Sequence, residues 1–156
     1  MIGPILKIEE EALPRLPNIH YLGKRAYNDL PAYLKAFDVA MLPFARNEAT
    51  RFISPTKTLE YMAAHKPIVS TPIHDVIDLY GSVVRVAESP QQFVDSVQAA
   101  LDEEPAQRTE RVGKEQKLLQ RYAWDSLVDN MQQLIYDRLQ QMAIEDGRSR
   151  EMSQSA

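Results

Sequence analysis

From residue 17 to residue 104, short apolar runs alternate with stretches of helical spacing. "NIHYLG" (18–23) reads as a short strand stopped by a glycine, and "DVAMLPF", "KPIVST" and "SVVRVA" read as three further strands. Within them "VAML" and "PIV" are apolar without alternation, the pattern of strands covered on both faces. Helical patterns lie between. In "YNDLPAYLKAF" the residues Tyr27, Leu30, Tyr33, Leu34 and Phe37 share one face. "PTKTLEYMAAH" follows Ser54 as the expected N-cap, with Pro55 at the first helical position. "HDVIDLYG" is a short helix closed by Gly81, and "SPQQFVDSVQAALDEE" repeats the Ser-Pro start at Ser89 and Pro90. Strands alternating with helices at this spacing predict βαβ units: a Rossmann-like α/β domain with a parallel sheet and flanking helices.

Beyond residue 105 the pattern changes to long polar helix. Trp124, Val128, Met131, Ile135, Leu139 and Met142 recur at steps of three and four, one apolar stripe on a long C-terminal helix. The stripe is expected to strap onto the domain's own surface, with another domain or subunit as the alternative cover. The expected division is residues 1–104 as the α/β domain, 105–147 as a helical extension, and the polar 148–156 as a disordered tail.

Composition narrows the function classes. The chain has 156 residues, 44% apolar and 26% charged, in the range of one ordinary globular domain. A net charge of -4 and a pI near 5.4 argue against nucleic acid as a partner. The chain has no cysteine, so no disulfide or thiolate metal site is expected, and a cytoplasmic location is. No apolar run is long enough for stable membrane insertion. P-loop, Gly-x-Ser-x-Gly and dinucleotide fingerprints are absent, and His20, His65 and His74 are too scattered to suggest a metal site.

The chemistry concentrates in "SPTKTLEYMAAHKPIVST", residues 54–71. A helix opening at Ser54-Pro55 offers unpaired N–H groups and a positive dipole end, which suit a phosphate. Lys57 in the first turn is disfavoured by that dipole, and a bound diphosphate would compensate; Arg46 and Arg51 would add to the field. Glu60, one turn on beside Leu59, Met62 and Ala63, is placed to accept hydrogen bonds from two ribose hydroxyls. The plainer alternatives stay open: a solvated lysine, and a helix-surface glutamate paired with a nearby lysine.

The whole string resembles the donor-binding segment of retaining GT-B glycosyltransferases. Leu59-Glu60-Tyr61-Met62-Ala63-Ala64 followed by Lys66-Pro67-Ile68-Val69 matches their Glu-bearing helix and Gly-Lys/Arg-Pro-Val-Val turn. The likeness extends upstream through "LPNIHYLGKRAYNDLPAYLKAFDVAMLPF" and downstream through "VVRVAESPQQFVDSVQAAL" to the Trp124 helix, covering roughly residues 1–140. The resemblance implies a truncated GT-B donor domain whose substrate is a nucleotide-sugar, with no metal or other cofactor. It implies Glu60 on the ribose, Thr56 and Lys57 with Ser54 and Arg51 toward the diphosphate, Gly23, Lys24 and Arg25 lining the base pocket, and residues 47–51 near the sugar.

Three departures accompany the resemblance. Phe52 stands eight positions before Glu60, where many relatives carry a second glutamate, and Glu48 is the nearest carboxylate. His65 replaces the glycine before Lys-Pro, at a left-handed position. The acceptor-binding domain and the first donor-domain strand have no counterpart, and "MIGPILKI" resembles the end of the second. The chain is therefore expected to bind donor without transferring sugar alone, and to pair as a homodimer or with an amino-terminal acceptor domain. A stand-alone interaction module without enzyme activity is the alternative. For the sheet, either "NIHYLG" closes directly onto "VAMLPF", or the ancestral spacing persists and leaves a gap.

Overall fold

The computed structural model describes the backbone of residues 1–6 and 8–154 and the side chains of residues 1–6 and 8–145. Two compact units emerge, Met1–Glu103 and Glu104–Ala156.

In the first unit three strands, β1 (Ala40–Leu42), β2 (Ile68–Ser70) and β3 (Val84–Val86), form a parallel sheet in the order β1-β2-β3. Ala40 aligns with Ile68, and Ile68 with Val84. The helices are α1 (Leu30–Lys35), α2 (Lys57–Ala63), α3 (His74–Tyr80) and α4 (Pro90–Leu101), with short 3-10 turns at Glu10–Ala12, Tyr27–Asp29 and Glu48–Thr50. This is the α/β, Rossmann-like arrangement the alternation predicts. β2 is buried along its whole length; Ile68 and Val69 supply apolar surface, and the buried Ser70 hydroxyl donates to the Thr71 carbonyl at 2.8 Å. The core holds Leu42, Met62, Ile68, Val69, Ile73, Val76, Tyr80 and Val84, with α2 against β2, α3 against β3, and α4 across both strands.

Local chemistry explains the helix limits. Ser89 accepts from the Gln92 N–H at 3.2 Å and Pro90 follows it, the expected capped start. Gly81 closes α3 because a Cβ there would sit 2.5 Å from the Ile77 carbonyl oxygen. His65 ends the turn after α2 at φ 53, the left-handed position foreseen for it.

Several expectations are corrected. Residues 18–23 form no strand: Met1 N donates to the His20 carbonyl, Leu22 N to Met1 O at 2.9 Å, and Gly3 N to Gly23 O at 3.0 Å. The two segments run side by side in one direction, their backbone groups are used on each other, and Gly23 turns away at φ 66. Direct closure of this segment onto β1 is therefore not what forms among the described residues. Met41, at the centre of β1, is 53% exposed, so the "VAML" run is covered on one face only. Ser54 is not an N-cap. Thr56 holds that place without a side-chain hydrogen bond, because the chain enters α2 through a tight turn in which the Pro55 carbonyl takes the Thr58 N–H at 3.0 Å. On α2 itself Thr58 and Met62 are buried and Ala63 is exposed, so the sheet-facing side lies one step round from the one expected.

In the second unit the long helical region divides at Tyr122-Ala123 into α5 (Pro105–Arg121) and α6 (Trp124–Gln154). A capping box at Glu104 and Gln107 opens α5. Arg111 pairs with the buried Glu115 at 2.6 Å. The helix continues to Gln154, and the tail expected at 148–156 runs on into residues 155–156, which lie outside the described residues. The α6 stripe residues Trp124 and Met131 are 81% and 61% exposed.

Candidate functional site

The carboxyl ends of β1 and β2 release two loops, and in open parallel sheets ligands bind beside such ends. The loop after β1 is fastened by its own polar groups. Asn47 N donates to Thr50 Oγ1 at 3.1 Å, Thr50 N to Asn47 Oδ1 at 3.2 Å, and the Thr50 hydroxyl to the Ala45 carbonyl. The loop after β2 is tied to it, because the Thr71 hydroxyl donates to Phe44 O at 2.9 Å and Thr71 N to Leu42 O at 3.1 Å. Between the loops lies a cavity of about 310 Å³ lined by Arg46, Asn47, Glu48, Thr50, Arg51, Pro72, Ile73 and His74.

The cavity's charged groups are mostly engaged. Arg51 reaches Glu48 at 3.6 Å and stacks over the Phe52 ring at 5.1 Å. His74 lies 3.3 Å from Asp78 and 3.7 Å from Asp75. Arg46 has no hydrogen bond or ion pair among the described residues. The 3-10 turn at Glu48–Thr50 brings Glu48 into the lining, while Phe52 is 82% exposed and outside it.

After that loop the chain enters α2, which carries the other predicted residues. Lys57 Nζ donates to both Glu60 carboxylate oxygens, at 2.9 and 2.7 Å, across one helical turn. Their side chains are 47% and 31% exposed, so the pair faces solvent from the flank of α2. Burial holds the Tyr61 hydroxyl above its ordinary pKa; Lys57 opposes that shift and Glu60 reinforces it. Ser54 and Thr56 are exposed beside the pair.

The predicted residues thus fall into three groups. Lys57 and Glu60 meet directly, with Ser54 and Thr56 adjacent in the chain; Arg51 belongs to the cavity. Gly23, Lys24 and Arg25 stand on another segment, without a hydrogen bond or ion pair to α2 among the described residues; Arg25 lies 6.0 Å from the Tyr33 ring. Pro72, Ile73 and His74 were not foreseen in the lining, since only the pairing of β1 with β2 brings them there. Lys66, part of the Lys-Pro match, turns away from the site. Its ammonium donates to the Lys35 and Phe37 carbonyls at 2.9 and 2.6 Å, fastening the end of α1. Among the described residues no three acidic or histidine side chains are grouped to hold a metal ion, and no helix is long and apolar enough to cross a membrane.

Comparison with known proteins places residues 2–103 in the family described as "Glycosyl transferases group 1". A 61-residue stretch is 31% identical to "Putative teichuronic acid biosynthesis glycosyltransferase TuaH" of Bacillus subtilis (strain 168), covering 39% of this chain and 15% of that protein. No solved structure gives a significant match.

Proposed function

The chain belongs to the group 1 glycosyltransferases, and from that premise we propose that its first unit binds a nucleotide-sugar donor. The observation that carries the reading is the Lys57–Glu60 pair on α2, half-exposed beside the loops at the carboxyl edge of a parallel sheet. Donor binding opens the pair. Lys57 and the exposed Thr56 meet the diphosphate, with Ser54 and Arg51 flanking it, and Glu60 accepts from the ribose hydroxyls. Gly23, Lys24 and Arg25 are assigned to the base. Lys57 then offsets charge on the leaving diphosphate, with no metal invoked.

In this reading the 156-residue chain taken alone binds donor without transferring sugar; its matched stretch spans 15% of the relative's length. An acceptor-binding partner, or a second copy of the chain, completes the assembly. The cysteine-free sequence suits a cytoplasmic setting.

Isothermal titration of the full chain with UDP, GDP and their sugars tests the reading. Glu60→Ala is expected to weaken donor binding by about 1–3 kcal/mol, the cost of charged hydrogen bonds left unmade. Equal affinity in variant and parent removes Glu60 from the site, and no binding of any nucleotide overturns the reading.

A further inference from the structure

We propose that Thr71 is a positioning residue: its hydroxyl, bonded to the Phe44 carbonyl, holds the loop after β1 in the stance that donor binding uses. This deepens the donor-binding reading, on which it rests, by naming a residue that acts on the site without touching the ligand.

The backbone ladder between β1 and β2 ends with the Thr71 N–H on the Leu42 carbonyl at 3.1 Å. Its next rung would run from Phe44 N to the Thr71 carbonyl. That rung does not form. Phe44 N turns back to Leu42 O at 3.0 Å, and the Thr71 carbonyl takes the Ile73 N–H at 2.8 Å and the hydroxyl of the buried Ser70 at 2.8 Å. The Thr71 side chain stands in for the rung, its hydroxyl donating to Phe44 O at 2.9 Å. Its contact with Leu42 O is longer, 3.3 Å, and a hydroxyl has one proton to give. Among the described residues no other hydrogen bond joins residues 44–51 to β2 or to the loop after it.

What hangs on that bond is a self-fastened piece of chain. Asn47 N donates to Thr50 Oγ1 at 3.1 Å, Thr50 N to Asn47 Oδ1 at 3.2 Å, and the Thr50 hydroxyl to the Ala45 carbonyl. A loop tied to itself in this way turns as one body about its root, and Phe44 is the root. Arg51, assigned to the diphosphate, follows directly on that piece, whereas α2 has its own packing against β2. The Thr71 bond therefore acts on the Arg51 side of the site. Groups ordered before the ligand arrives bind it at a lower entropic cost, so release of the loop weakens the donor.

The test compares the parent with Thr71→Val, Thr71→Ser and Ser89→Ala, each as the full chain. Thr71→Val keeps the branched shape and loses the donor hydroxyl, and Thr71→Ser keeps the hydroxyl. Ser89→Ala removes the cap of α4 and supplies a destabilised variant on another element. Hydrogen exchange read by mass spectrometry follows peptides over residues 44–52, and isothermal titration uses UDP, GDP, UDP-glucose and GDP-mannose. Thr71→Val is expected to speed exchange over 44–52 about fivefold and to weaken the accepted donor about fivefold, the worth of one hydrogen bond. Thr71→Ser should stay within about twofold of the parent in both measurements. Ser89→Ala should leave both unchanged while melting lower. Unchanged exchange over 44–52 in Thr71→Val overturns the inference, and so does a Thr71→Ser variant that loses as much as Thr71→Val. Faster exchange with full donor affinity also overturns it, leaving donor binding intact. A loss of affinity in Ser89→Ala equal to that in Thr71→Val would trace the effect to overall stability and overturn it as well. If the parent binds no nucleotide, the donor-binding reading falls and the effect on affinity with it, while exchange still decides whether Thr71 holds the loop.

Discussion

Replacing Lys66 by methionine keeps an aliphatic stem of similar length but removes the ammonium that holds the end of α1. That ammonium donates to Lys35 O at 2.9 Å and Phe37 O at 2.6 Å, joining residues 31 and 29 positions apart in sequence. The Lys35 carbonyl is exposed and can turn to water; the Phe37 contact is part-buried and leaves an acceptor poorly served. One charge-assisted bond lost at partial burial, together with the favourable cation at a helix C-terminus, sums to about 2 kcal/mol. For a unit of this size that is roughly 8–10 °C in melting temperature. Lys57→Met is the paired control. Its ion pair with Glu60 is solvent-facing and worth at most about 1 kcal/mol, so it shifts melting by roughly 4 °C or less. Donor affinity should respond in the opposite order, dropping about tenfold or more for Lys57→Met and little for Lys66→Met. Thermal unfolding followed by far-UV dichroism and titration with nucleotide-sugars measures both axes. A Lys66→Met variant that melts with the parent but loses donor would refute the division of roles, as would a Lys57→Met variant that binds normally.

Further predictions concern the backbone and the assembly. His65→Gly relieves a side chain held at φ 53 and is expected to raise stability by about 0.5–1 kcal/mol after the entropy of glycine is subtracted; a lower melting temperature would show that the imidazole's contacts outweigh the strain. Ser89→Ala removes the cap on Gln92 N and should cost about 1 kcal/mol, whereas Ser54→Ala should be near neutral in the unliganded chain, and comparable losses from both would contradict the observed turn at Pro55. The exposed α6 stripe is expected to bring copies of the chain together, so light scattering after size exclusion should report a dimer, and a stable monomer at tens of micromolar would rule that out.

How far the sequence could be read depends on where each signal is satisfied. The apolar runs located β1, β2 and β3 because strands buried in a parallel sheet are mostly apolar, as Ile68 and Val69 of β2 are. Residues 18–23 carry a similar signal, yet their backbone partners are residues 1–3, a pairing that no local pattern reveals. The two Ser-Pro pairs are identical in sequence and differ in outcome. After Ser89 the chain enters the helix directly, with Gln92 Oε1 returning to Glu88 N at 2.9 Å, while after Ser54 a tight turn intervenes and the hydroxyl caps nothing. The break at Tyr122-Ala123 has neither proline nor glycine to announce it. In the site, the Lys57–Glu60 contact follows from one-turn spacing and was legible. The cavity was only half legible, since its 72–74 wall depends on the register of β2 against β1.

The pair on α2 also shows that the plain and the functional accounts of Lys57 and Glu60 are compatible. A cation in the first turn of a helix is disfavoured by the dipole, but here it is held by a carboxylate that accepts from it twice, at 2.9 and 2.7 Å. Such a solvent-facing pair contributes about 0–1 kcal/mol, so opening it costs little. In the proposed donor complex a diphosphate would present more negative charge to Lys57 than one carboxylate does, and the released Glu60 would find hydroxyl donors on the ribose of the same ligand. That proposed exchange would keep both side chains partnered before and after binding. Removing Glu60 should therefore separate the two states: in the unliganded chain Glu60→Ala should change stability by no more than about 1 kcal/mol, while with donor present its effect should grow to about 1–3 kcal/mol. A variant equally destabilised in both conditions would mean that the carboxylate serves the helix alone.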